Sequence, residues 1–148
     1  MLASQGEVHK GLLQKLNQLE FYSKNYPKSL GLEWVQSKVF PLIDSFNLDV
    51  KSILRTFIEH ISFQISKTIK PNTKVLITGG GAFNTFLLEQ LQQSCGSEII
   101  VPEETIVEFK EALIFAFLGV LKLRNEVNCL SSVTGASHDH STGIVFRA

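Results

Sequence analysis

The sequence predicts an α/β fold, rich in helices, around a small parallel sheet of two to three strands. Three observations carry this. Ile53, Leu54, Phe57, Ile58, Ile61, Ile65 and Ile69 recur at three–four spacing, the apolar stripe of one long amphipathic helix. From 74 to 123, two short β-branched runs alternate with two helical patterns, which is one parallel βαβα unit. The first of those runs, in KVLITGGGAFN from Lys74 to Asn84, stops at three consecutive glycines before a helical pattern begins.

The elements follow in order. Residues 1–9 are short and alternating and read as one edge strand. GLLQKLNQL, from Gly11 to Leu19, places leucines at 12, 13, 16 and 19 on one helical stripe. FYSKNYPKSLG, from Phe21 to Gly31, reads as a loop packed by its own rings, with Pro27 pushing Tyr26 out of helical space. Trp34 to Ile43 reads as a short helix broken or kinked at Pro41. Asn47 and Asp49 are N-cap candidates for the long helix, which Pro71 and Asn72 end. The βαβα unit is a strand at Val75–Thr78, the glycines, a helix over Ala82–Gln93 closed by Gly96, a strand at Glu98–Val101, and a helix over Ile106–Leu123. Glu103 and Glu104 sit at the positive end of that last helix. It is apolar nearly all round, so it is expected to lie buried between layers. The rest is loop, with a last strand at Gly143–Phe146. We therefore expect a single domain over 1–148, with an edge strand at 1–9, a helical segment at 10–72, the βαβα unit at 73–124 and a tail at 125–148. Two or three strands are few for so many apolar helices. Either the domain is mostly helical or part of its sheet lies outside this chain.

Bulk properties exclude several functions. Fourteen basic residues balance fourteen acidic ones, so no net field favours nucleic acid or an anionic membrane. Cys95 and Cys129 lack a second Cys or His at zinc-ligand spacing. The first eleven residues carry no apolar signal core, and Ala112 to Leu123 is too short to cross a bilayer. A cytoplasmic protein with free thiols is the expectation.

Strand, glycine turn, helix is how a chain brings bare backbone N–H groups to a nucleotide. Gly79, Gly80 and Gly81 are therefore read as a ligand site ahead of a plain tight turn. Gly79 and Gly81 match the first two glycines of a dinucleotide fingerprint, and Glu103 lies at a suitable distance, but Asn84 holds the third glycine's place. No Gly-Lys-Ser/Thr follows, so the Walker pattern is absent. Glu111, on the apolar run KEALIFAFLG, is either an acid favoured by the helix dipole or a carboxylate for a polar ligand such as a sugar; from the residues alone the dipole reading leads. Lys28 and Ser29 in PKSLG fit a solvated turn better than an anion site. His138-Asp139-His140 fits a polar tail better than a metal site, and no elbow marks Ser131, Ser132, Ser137 or Ser141 as a nucleophile.

ITGGGAFN, FKEALIFAFLG and SVTGAS-x-DHS, with PKSLGLEW upstream, resemble in order and separation the C-terminal end of the anhydro-N-acetylmuramic acid kinases. PKSLGLEW looks like that family's PKSTGRE segment, with Leu30 in place of threonine and Leu32 in place of arginine. The resemblance implies the C-terminal lobe of an actin-like (ribonuclease H-like) ATPase of the actin/hexokinase superfamily. The family phosphorylates 1,6-anhydro-N-acetylmuramic acid with ATP and magnesium, opening the anhydro ring, in peptidoglycan recycling. A base activates water for attack on the anomeric carbon while the sugar oxygen takes the γ-phosphate.

By position, the resemblance puts Gly79, Gly80, Gly81, Ala82 and Asn84 at the nucleotide's adenosine side. It makes Glu111 a sugar contact, reversing the dipole reading, and brings Lys28, Ser29 and Gly31 near the cleft mouth. The family's GTSLDG-like phosphate loop and catalytic aspartate are not in these residues. The expectation is therefore a C-terminal portion with no catalytic residue or metal ligand of its own, inactive alone and self-associating through an uncovered lobe face. Two other classes stand beside it: a dinucleotide-binding βαβ module, and a non-catalytic helical interaction domain.

Overall fold

The computed structural model describes residues 2–25 and 28–146, so the expectation for Tyr26 and Pro27 lies outside the described residues. The chain divides into two compact units, Met1–Val101 and Pro102–Ala148. The division falls after the second strand, so the segment 73–124 gives its β–α–β to the first unit and its last helix to the second.

The first unit opens with a 3-10 turn at Ala3–Gln5 where a strand was expected. Gly6 follows it and lies against the backbone of Lys51 and Ser52, a local geometry set by packing and not by strand pairing. Helix α1 (Lys10–Asn17) starts where the His9 ring accepts the Leu12 N–H at 3.1 Å. Leu12 and Leu16 point inward from α1 and, with Val39, form the buried core.

The chain then makes α2 (Leu32–Trp34), a π turn (Val35–Val39) and α3 (Phe40–Asp44). Pro41 neither breaks nor sharply ends this run. It lacks an N–H and its ring would crowd the carbonyl four residues earlier; the chain widens before it, with Phe40 N–H reaching Val35 O. Trp34, Val35, Leu42, Ile43, Phe46 and Phe57 close over the core.

Helix α4 (Val50–Ser66) is capped by Asp49, whose carboxylate accepts the Lys51 and Ser52 N–H groups at 3.0 and 3.1 Å. These bonds hold the Asp49 carboxyl below its usual value, the Ser52 contribution first. Asn47, the other cap candidate, takes a left-handed conformation at φ 46°. The fully buried face of α4 departs from the apolar stripe: Thr56, His60 and Ser62 are buried beside Ile58, while Leu54 and Ile65 are exposed. Each of two polar residues has a reason. Thr56 Oγ1 accepts the His9 N–H at 2.9 Å and donates to Ser52 O at 2.7 Å. His60 bridges Tyr22 Oη at 2.9 Å and Asn17 Oδ1 at 2.7 Å, and Gln64 donates to the same Asn17 oxygen.

Strand β1 (Lys74–Leu76) pairs in parallel with β2 (Glu98–Ile100), Val75 opposite Ile99, and α5 (Thr85–Ser94) crosses between them. This two-stranded sheet bears out the helix-rich α/β class. Helix α5 stops at Ser94 with Cys95 extended. Gly96 therefore does not close it as a left-handed cap; its carbonyl accepts the Asn72 N–H at 2.9 Å.

The second unit is α6 (Glu104–Leu123), the short α7 (Ser131–Thr134) and an extended tail. Helix α6 is not the buried helix expected from its composition. Phe109, Leu113, Phe115, Phe117 and Leu123 are each more than half exposed, and Val107 is its buried residue. A helix apolar on every side needs cover on every side, and the described residues fold without supplying it. The strand expected at Gly143–Phe146 does not form. Pairing falls earlier, at an antiparallel bridge between Cys129 and His140.

Candidate nucleotide site

The glycine turn is built by two local choices. Gly79 sits at φ 81° and ψ 177°, a region open to glycine almost alone. A 3-10 turn over Gly80–Phe83 follows, with Ala82 N–H on Gly79 O at 2.9 Å and Asn84 N–H on Gly81 O at 3.1 Å. Helix α5 then begins at the Asn84 cap, whose side-chain oxygen accepts the Leu87 N–H at 3.1 Å. The residue at the third fingerprint position is therefore a helix cap, and α5 starts three residues later than its pattern suggested.

Gly80 and Gly81 need separate explanation. Neither takes a positive φ, and a Cβ built on either meets nothing within 4 Å. No contact among the described residues requires glycine there. Their open side is where another molecule can lie directly on backbone N–H groups. Ala82 is buried beneath the turn and Phe83 is half exposed beside it.

The other sequence-picked residues fall elsewhere. Lys28 ties its own loop together: its ammonium donates to Phe21 O at 3.2 Å and lies 5.0 Å from the Phe21 ring centre. An open cleft of ≈ 620 Å³ beside it is lined by Tyr22, Lys28, Gln64 and Lys67. Ser29 and Gly31 are exposed, and Gly31 precedes α2 in an extended conformation. Glu111 is an exposed residue of α6 in the second unit.

In the SVTGAS-x-DHS motif, Asp139 has a structural task that its spacing did not reveal. Its carboxylate accepts from the Ser131 N–H at 2.7 Å and the Ser131 hydroxyl at 2.6 Å, which lowers its pKa. With the Cys129–His140 bridge, this clamps the loop shut. Among the described residues no three His, Cys, Asp or Glu side chains gather closely enough to hold a metal ion. No helix among them is long and apolar enough to cross a membrane.

Sequence reasoning missed His60 altogether. It looks like one more residue of a helix, and its network depends on α1 and the Phe21–Tyr22 turn arriving beside α4. Burial holds it well below the ordinary histidine value, at about 4, and burial raises the Tyr22 phenol.

A family model described as anhydro-N-acetylmuramic acid kinase matches residues 1–148. Proteins named anhydro-N-acetylmuramic acid kinase are similar to this chain in several bacteria. The one from Vibrio vulnificus strain CMCP6 is 31% identical over 157 residues, covering 97% of this chain and 41% of the relative. The one from Variovorax paradoxus is 31% identical over 159 residues, covering 99% and 41%. That of Saccharophagus degradans is 29% identical over 157 residues, covering 97% and 41%. The chain thus spans about two fifths of the length of these relatives.

Proposed function

Because the chain belongs to the anhydro-N-acetylmuramic acid kinase family, we propose that it is the C-terminal portion of an ATP-dependent kinase for 1,6-anhydro-N-acetylmuramic acid. In this reading Gly79, Gly80, Gly81 and Ala82 receive the adenosine side of the nucleotide, with Asn84 fixing the start of the helix behind them. The observation that carries it is the bare, open side of Gly80 and Gly81, which the chain's own packing does not need. Glu111 is the proposed sugar contact. Lys28, Ser29 and Gly31 border the cleft mouth, Lys28 by holding its loop. Magnesium would accompany ATP in the complete enzyme and would neutralise phosphate charge there, and no residue of this chain is proposed as its ligand. The setting is cytoplasmic, where ATP is supplied and where the two free cysteines stay reduced. The product feeds peptidoglycan recycling.

The glycines give a paired test. Gly79→Ala is expected to lose roughly 1–3 kcal/mol of stability, because alanine is forced into glycine's conformation. Gly80→Ala should keep or slightly raise stability, yet weaken ATP binding about tenfold by filling the space the nucleotide uses. Denaturant unfolding and ATP titration of both variants separate a turn glycine from a ligand glycine. Unchanged ATP affinity in Gly80→Ala would overturn the assignment.

Residues 1–148 by themselves are proposed to bind without transferring phosphate, since the sequence holds no phosphate loop or catalytic aspartate of the family's kind. Turnover of ATP and anhydro-sugar by the purified 148-residue chain would contradict this. The exposed apolar residues of α6 favour self-association of that isolated chain. A clean monomer by light scattering at high concentration would count against it.

A further inference from the structure

Helix α4 borders two cavities that the nucleotide reading does not use. Phe57, Ile61 and Gln64, and Thr68 just past the helix end, line them in turn at three–four spacing. Toward the start of α4 the cavity is apolar, ≈ 270 Å³, and walled by Leu30, Trp34, Val35 and Phe57. The Tyr22 ring meets the Trp34 ring edge-on at 6.2 Å and the His60 ring at 5.1 Å, so this end is largely aromatic. Toward the end of α4 lies the ≈ 620 Å³ cleft, lined by Lys24, Lys28 and Lys67. Tyr22, Gln64 and Ile65 line both cavities, so the two adjoin.

Helix capping does not account for these lysines. A lysine near a helix C-terminus ordinarily answers its open carbonyls. Here Phe63 O already accepts the Lys67 N–H and the Ser66 hydroxyl, and Ile65 O accepts the Thr68 N–H and hydroxyl. Lys28 comes from the opposite wall, where its ammonium donates to Phe21 O and Tyr22 O. Lys24 pairs with Glu20 at 3.1 Å, and none of the described residues lining the cleft is acidic. Three lysines against one glutamate give this end a positive balance.

We propose that the adjoining cavities form a binding site for a small organic anion with a planar apolar body. The ring lies among Trp34, Tyr22 and Phe57, and one carboxylate or similar group is held at the lysine end. An apolar cavity of about 150 Å³ admits a benzene ring. The ≈ 270 Å³ of the apolar end therefore admits a two-ring body. Aromatic walls favour a flat ring over an alkyl chain, because ring edges and faces attract beyond the area they bury. The charge at the other end selects an anion over a neutral molecule of the same shape. The site is built from α4 and from residues between Phe21 and Val35, and does not depend on the glycine turn.

The test follows two groups by NMR in the isotope-labelled whole chain: the indole N–H of Trp34, the chain's one tryptophan, and the side-chain amide of Gln64. The probe is 2-naphthoate, and neutral 2-naphthamide is its control. Saturable shifts at both groups are expected, with 2-naphthoate bound about three- to fivefold more tightly, the scale of a partly exposed ion pair. Lys24 and Lys67 are exposed, so Lys24→Gln/Lys67→Gln should fold normally. It should remove the preference while still binding 2-naphthamide. Excess ATP should leave bound 2-naphthoate in place. Equal affinity for the two probes overturns the proposal, as does a preference that survives the paired lysine substitution. Shifts that spare Trp34 and Gln64 and gather on the exposed apolar residues of α6 overturn it as well. Displacement of 2-naphthoate by ATP would give these cavities to the nucleotide and overturn them as a site of their own.

Discussion

Gly6→Ala is expected to destabilise the first unit by about 3 kcal/mol or more, at the upper end of overpacking costs. A Cβ at position 6 would fall on the carbonyl carbon and oxygen of Lys51, far inside contact distance, and 2.6 Å from Ser52 N. These are backbone atoms in the first turn of α4, fixed on one side by the Asp49 cap. No rotamer change relieves the clash. Either the 3-10 turn lifts off α4 or the helix start frays, and the Thr56 bond to His9 N–H lies close to both. Gly11→Ala is the control. There a Cβ meets only side-chain atoms, the His9 ring at 3.2 Å and the Phe46 ring at 3.4 Å, which can give by a few tenths of an ångström, and alanine gains helix propensity inside α1, so the effect should stay within about 1 kcal/mol. Urea unfolding of both variants reads the difference. A Gly6→Ala midpoint equal to wild type would contradict the close approach.

His60 gives the second large effect, and it depends on pH. The unfolded chain binds this proton near pH 6.5; the folded chain resists it until about 4, because the ring is buried. Its stabilising contribution is complete above pH 6.5 and is lost as pH falls through the window to about 4. The loss sums to roughly 3 kcal/mol, at about 1.4 kcal/mol for each pH unit that the window spans. Below that window His60 adds no further slope, and Asp49 and Asp139, both held low by hydrogen bonds, begin their own loss beneath 3.8. His60→Gln should flatten the window between 6.5 and 4, with a lower plateau at neutral pH where Tyr22 and Asn17 lose a fitted partner. A wild-type stability independent of pH across that range would contradict a buried neutral His60.

What was legible in the sequence was local. Helix α4 could be read from its isoleucines and from the Asp49 cap, because spacing and capping act within a few residues. The β1–glycine–α5 passage was legible for the same reason, as were the parallel strands around it. What failed to show was set by distant neighbours. Gly6 reads as one glycine in a short alternating segment; only the arrival of α4 makes its missing side chain matter. The polar buried residues of α4 look like breaks in an apolar stripe, although Thr56 and His60 are there to satisfy groups from positions 9, 17 and 22. Helix α6 shows the reverse. Its composition asks for burial, and sequence cannot reveal that the described residues leave Phe115 and Leu113 uncovered. In the candidate site, the three glycines were visible, whereas the 3-10 turn over Gly80–Phe83 and the start of α5 at the Asn84 cap were not, since no spacing rule announces them.

The open side of the turn over Gly79–Ala82 is proposed to receive the adenosine side of ATP. Titrating ATP into isotope-labelled chain while following backbone amides by NMR tests it directly. Saturable shifts concentrated at Gly79, Gly80, Gly81 and Ala82 are expected, with apparent affinity reduced about tenfold in Gly80→Ala. Shifts that leave these four amides still, or that gather instead around Lys28 and Gln64, would contradict it.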